Sequence, residues 1–123
     1  MIVFIMKDNN FEKIEEIIKD RKEAHNYLMK NSEVYKNFTN LEEKAFSDGW
    51  LKKKYKELIA FGISLVINCE SCMEWHIHEA LKSGTTKKEI LEAIEVGIEM
   101  GGGPTTVSSR FALKVLDYYK DLC

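Results

Sequence analysis

Residues 58–67, LIAFGISLVI, form a run of ten without one charged side chain. A membrane span requires roughly 20 such residues, so this run has to be covered by protein. It follows the basic stretch KKKYKE at residues 52–57, and together they predict one helix from about residue 51 to 67. The first half of that helix is charged and the second half is apolar on all sides. A helix apolar all round is covered, either at the centre of the fold or between subunits.

The rest of the chain also divides into helical segments. A first helix is predicted from about residue 10 to 30, with Phe11, Ile14, Ile18, Ala24 and Leu28 near one face. Ser32 is placed to cap a second, which carries Val34, Tyr35, Phe38, Leu41, Ala45 and Phe46. Ser47-Asp48-Gly49 reads as a turn. Asn68 breaks the central helix, and a fourth begins around residues 69–71 and ends at Ser83-Gly84. Thr86-Lys87-Lys88-Glu89 has the form of a capping box. It opens a fifth helix carrying Ile90, Leu91, Ile94, Ile98 and Met100. Gly101-Gly102-Gly103-Pro104 closes that helix and starts a sixth, with Val107, Phe111, Val115, Tyr118 and Leu122 along one stripe. The glycines do not read as a phosphate loop: they follow a helix rather than a strand, and no P-loop lysine follows.

The expectation is therefore an all-α, single-domain chain over residues 1–123, a bundle of about six helices. At 123 residues it can bury a core without disulfide staples. The net charge of −2, with acids and bases mixed along the chain, gives no footprint for nucleic acid or a membrane surface. The opening MIVFIM lacks a basic leader and a cleavage site. It reads as a short strand or a tucked arm, and a cytoplasmic address follows by default.

The chemistry concentrates in NCESCMEWHIH, residues 68–78. Cys69, Cys72 and His76 are spaced by three and four, which puts them on one helical stripe. Both sulfurs fall at the helix N-terminus, where free N–H groups and the helix dipole favour a thiolate. His76 stands one turn beyond Cys72, within reach as a base or ion-pair partner. Four readings of the motif are open. Zinc needs a further ligand pair from elsewhere, and none is visible. Three cysteines, one of them the terminal Cys123, are too few for an iron–sulfur cluster. Two cysteines buried as small apolar residues are a bland reading. A redox dithiol accounts for the most features. A thioredoxin fold would need a βαβ pattern around the CxxC, and helices flank it here. His78 points elsewhere on the helix, toward a helix or subunit contact. His25 reads as solvated, Glu74 and Glu79 as solvated or paired with lysine, and Met73 and Trp75 as core or interface.

The stretch KELIAFGISLVINCESCMEWHIHEALKSGTTKKEILEAIEVGIEMGGGP, residues 56–104, resembles the core of the alkylhydroperoxidase AhpD-like, or carboxymuconolactone decarboxylase, family. The shared shape is a Glu on an apolar helix, a CxxC twelve residues on, a His after three more, a Gly turn, a T-x-x-E-I helix and a Gly-rich end. On this chain the positions are Glu57, Cys69, Cys72 and His76. From the residues alone, Glu57 in its lysine-rich run would read as a solvated acid; the resemblance gives it a site role. Two positions depart. The best-known peroxidases carry His directly before the second Cys, where this chain has Ser71, so a full proton relay and high turnover do not carry over. Asn68 stands where many relatives have Gly.

The resemblance implies an all-α fold assembled as a homo-trimer or homo-hexamer, and thiol-dependent peroxide reduction or disulfide exchange. Branches with decarboxylase activity usually lack the Cys pair, so its presence favours the redox branch. Cys72 would attack peroxide with His76 as base, Cys69 would close the disulfide, and Glu57 would orient His76. Helix-end exposure argues instead for Cys69 as the attacking thiol. The partners would be a peroxide and an external dithiol or disulfide-reductase donor, with no cofactor and no metal. Two other readings are a non-catalytic redox-sensing dithiol module and a lyase in which the cysteines are incidental.

Overall fold

In the computed structural model the backbone is described from Ile2 and the side chains from Phe11, both to Cys123. Six α-helices follow one another: α1 (Ile2–Asn31), α2 (Glu33–Phe46), α3 (Lys53–Val66), α4 (Glu70–Lys82), α5 (Lys87–Gly101) and α6 (Gly103–Tyr118). A 3-10 turn at Lys120–Leu122 ends the chain. The strand or arm expected for MIVFIM is helix from Ile2 on; the packing of those side chains lies outside the described residues.

The helix boundaries come from local chemistry. The Ser32 hydroxyl accepts from the Tyr35 N–H at 3.0 Å and starts α2. Thr86 and Glu89 form the reciprocal capping box of α5, each side chain bonded to the other's N–H. Asn68 has φ of +55°, the left-handed conformation that an Asn side chain tolerates better than most. Its departure from Gly is thus conformationally mild. Ser108 donates to its Oδ1 at 3.1 Å and fastens the α3–α4 turn to α6. Between α5 and α6, Gly102 takes φ of +72°. A Cβ at Gly101 would collide with the Thr105 side chain, so the run of glycines is a tight helix-to-helix turn.

The core is built by α3 to α6, with Ile14 of α1 added: Phe61 and Leu65, Met73 and Ile77, Ile90 and Ile94, Phe111 and Val115 meet there. α3 packs against α4, α5 and α6, while α1 lies over α6 and α4. The central helix is not covered all round within one chain. Phe61 and Leu65 are buried, but Ile59, Ile63, Val66 and Ile67 are exposed. With Val96 and Met100 they line an apolar groove of about 700 Å³ between α3 and α5. α2 buries no residue, and its Val34, Phe38 and Leu41 face outward.

Candidate functional site

The break at Asn68 sets Cys69 at the N-cap of α4, its N–H donating to the Ser64 carbonyl at 3.0 Å. The Cys69 Sγ accepts the Cys72 N–H at 3.2 Å, so a sulfur fills the place where a Ser or Asp oxygen is the usual cap. Cys69 and Cys72 are joined as a disulfide, with Cα atoms 5.2 Å apart. Both are half-buried, and Ser71 between them is exposed.

One turn further along α4, His76 is brought to Glu57 of α3. Nδ1 lies 2.7 Å from Glu57 Oε1, and the Phe46 ring at the end of α2 stacks on the imidazole at 5.4 Å. A carboxylate on Nδ1 selects the Nδ1–H tautomer and leaves Nε2 as the acceptor, the form required of a base. Glu57 is only 2 % exposed. Its solvated reading is therefore wrong for this fold, because α3 turns that position inward against α4. Burying a carboxylate is costly unless it is paired, and both oxygens are: Oε2 accepts from Lys53 Nζ at 2.9 Å. Lys53 also donates to Glu79 Oε1 at 3.1 Å.

All four residues singled out from the sequence thus lie on the facing elements α3 and α4, with His76 bonded to Glu57 and Cys69 to Cys72. Missed by sequence reasoning were Lys53 and Phe46. The i,i+4 spacing of Lys53 and Glu57 was a readable signal; nothing in the sequence marked the Phe46 stack. Glu79 is paired with Lys53 as expected, and also with His78 Nδ1 at 3.2 Å. Glu74 is a correction. It is wholly buried on another face of α4, ion-paired with Arg21 of α1 and hydrogen-bonded by the Tyr119 hydroxyl. His25 is exposed and bonded to Tyr35. Met73 is core, and Trp75 stacks under the Arg21 guanidinium at 4.9 Å. His78 makes a helix contact, its ring 5.0 Å from that of Tyr119. Among the described residues, no group of three or more His, Cys, Asp or Glu is arranged to hold a metal ion.

The model of the carboxymuconolactone decarboxylase family matches residues 32–115. The chain belongs to this family. An uncharacterized protein of the cox locus of Paracoccus denitrificans is 40% identical over 80 residues, 65% of this chain and 72% of that one. Among solved structures, a carboxymuconolactone decarboxylase family protein from Legionella pneumophila superposes with a TM-score of 0.76 at 30% identity, over 90% of this chain and 97% of that one. A family protein from Thermotoga maritima, noted for a possible part in the antioxidative response, gives 0.80 at 25% identity over 87% and 92%. No helix among the described residues is long and apolar enough to cross a membrane.

Proposed function

We propose that this member of the carboxymuconolactone decarboxylase family is a thiol-dependent peroxidase or disulfide reductase. The observation that carries the reading is the bonded Cys69–Cys72 pair at the start of α4, with the His76–Glu57 pair one turn beyond it. In the reduced enzyme, His76 Nε2 takes the Cys72 thiol proton. The thiolate attacks the terminal peroxide oxygen, the O–O bond breaks, and the alkoxide leaves with that proton as an alcohol. Cys72 is left as a sulfenic acid. Cys69 attacks its sulfur, the S–O bond breaks, and the hydroxide leaves with the Cys69 proton as water. The product is the disulfide, which an external dithiol returns to two thiols by exchange. Cys69 suits the second role because its sulfur lies within bonding reach of the Cys72 sulfur. The possible antioxidative part noted for the Thermotoga maritima relative supports the same class of chemistry.

The test is Glu57→Gln with dithiothreitol as reductant. Peroxide consumption is expected to fall by about 10²-fold or more, in line with a lost acid–base partner, while air or diamide still closes the disulfide. Unchanged consumption would leave a dithiol module without a relay. Full turnover of a carbon acid by Cys72→Ser would move the protein to the lyases.

Assembly as a homo-trimer or homo-hexamer, in the cytoplasm, belongs to this reading. The apolar groove between α3 and α5 supports association of subunits, since monomers rarely leave such faces open. Sedimentation as a 14.3 kDa monomer at micromolar concentration would remove that part.

A further inference from the structure

Two apolar surfaces of this chain are left open, and they are of opposite shape. The outer face of α2 is convex. Val34, Phe38 and Leu41 follow at spacings of four and three, form one stripe, and are each more than half exposed. The groove between α3 and α5 is concave, with Ile59, Ile63, Val66, Val96 and Met100 exposed along it. An apolar helix face with anchors at such spacings, laid in an apolar groove, is a recurring mode of protein recognition. The charges also match. Glu92 lines the groove, and Glu95 and Glu99 follow it at exposed positions of α5, at spacings of three and four. None of the three has an ion-pair partner among the described residues. Lys44, exposed one turn beyond Leu41 on the flank of the α2 stripe, is likewise unpaired among them.

The two surfaces of one chain cannot meet. α2 lies on the Glu57 side of α3, since Phe46 and Glu57 line one cavity there. Ile59 and Val66, which line the groove, are about half a turn round α3 from Glu57. α2 would enter its own groove only by taking Phe46 off His76. A second copy meets no such conflict. Contact between unlike surfaces repeats from copy to copy and closes as a ring, the symmetry of a trimer. We propose that the Val34, Phe38 and Leu41 stripe of one copy seats in the α3–α5 groove of the next, and that this seat holds Phe46 of the first copy on its own His76. α2 buries none of its residues and borders a cavity of about 420 Å³. A helix with so little buried in its own chain belongs to the least stable part of a fold. Yet it carries the ring that stacks on the imidazole. The inference rests on the assembly proposed above and deepens it; it does not depend on the peroxide chemistry.

The experiment is complementation between two assembly variants. Phe38→Glu spoils the stripe and Ile63→Glu spoils the groove; both side chains are exposed, so each variant should keep the helical circular dichroism of wild type. Leu41→Glu and Val96→Glu replace them if either does not fold. By sedimentation, wild type is expected at a multiple of 14.3 kDa and each variant as a smaller species. Their equimolar mixture should form a larger 1:1 complex, because one native stripe and one native groove remain. The second readout is the NMR shift of the His76 ring protons, with Phe46→Leu as the reference for a lost stack. In the mixture the wild-type shift should return in the Ile63→Glu copy, whose α2 is seated, and not in the Phe38→Glu copy. Labelling the histidines of one variant at a time separates the two. A Phe38→Glu variant that assembles like wild type overturns the proposal and leaves groove against groove. An Ile63→Glu variant that does so, or a mixture that gains no larger species, overturns it as well. Return of the shift in both copies, or in neither, overturns the hold on Phe46. Wild type at 14.3 kDa removes the assembly reading together with the seat; every other adverse result removes the seat alone.

Discussion

Arg21→Leu is expected to be among the most damaging single changes outside the cysteine site. Glu74 has no exposed surface, and its partners are Arg21 and the Tyr119 hydroxyl. The phenol does not compete for charge: burial, then the hydrogen bond and charge of Glu74, push its pKa far above the usual tyrosine value. Removing the guanidinium therefore strands a carboxylate in the interior. Breaking a buried pair from one side costs about 3–5 kcal/mol. The Arg21 side chain is 27 % exposed, which places the cost near the lower end, about 3 kcal/mol. Unfolding entropy of roughly 2.1 cal/mol/K per residue gives a chain of this length about 0.26 kcal/mol/K. The loss is then about 12 °C in Tm, read by circular dichroism on the oxidised protein at neutral pH. The double variant Arg21→Leu with Glu74→Leu should recover more than half of it, because no charge is left stranded. A single variant that loses less than about 3 °C, or a double variant no better than the single, would refute the reasoning.

Three further outcomes are expected. Thr86→Ala should cost about 1 kcal/mol by removing one half of the α5 capping box, measured by urea unfolding with an unchanged slope. Gly101→Val should cost about 1–3 kcal/mol, since its Cβ meets the buried Thr105 side chain and lies 3.3 Å from Val66 Cγ2; a neutral effect would mean that the α5–α6 turn relaxes freely. Burial would lower the pKa of Lys53, but the hydrogen bonds and charges of Glu57 and Glu79 raise it, which gives stability that is complete below the ordinary lysine value and is lost as pH rises through the folded value. An alkaline unfolding scan should accordingly show wild type losing more above about pH 10.4 than Lys53→Met.

The helix plan was legible because its signals are local. Ser32, the Thr86–Glu89 box, Asn68 and the Gly101–Gly103 run each act on their own neighbours and need no tertiary context. The placing of Cys69, Cys72 and His76 together was legible for the same reason, being three and four residues apart at one helix. Charged side chains were read less well. Glu57 and Glu74 look like surface acids, and which of them turns inward depends on where α3 and α1 dock against α4. The partners of Glu74 lie 53 residues upstream and 45 downstream, distances at which periodicity carries no information. The apolar helix at residues 58–67 was half legible: its burial was foreseen, but one side faces the groove with α5 rather than the core.

The cap of α4 is a sulfur that also belongs to the disulfide. The helix cap and the disulfide therefore share one atom, and neither can be altered without entering the free energy of the other. A thiolate is a better hydrogen-bond acceptor at a helix start than a thiol. Whatever that contact adds to the folded reduced form also moves the reduction potential of the pair, at about 30 mV per 1.4 kcal/mol. The substitution that separates the two is Cys69→Ser, which leaves an oxygen in the cap and abolishes the bridge. Cys69→Ala removes both. The stability difference between these two variants measures what the cap contributes apart from the bridge.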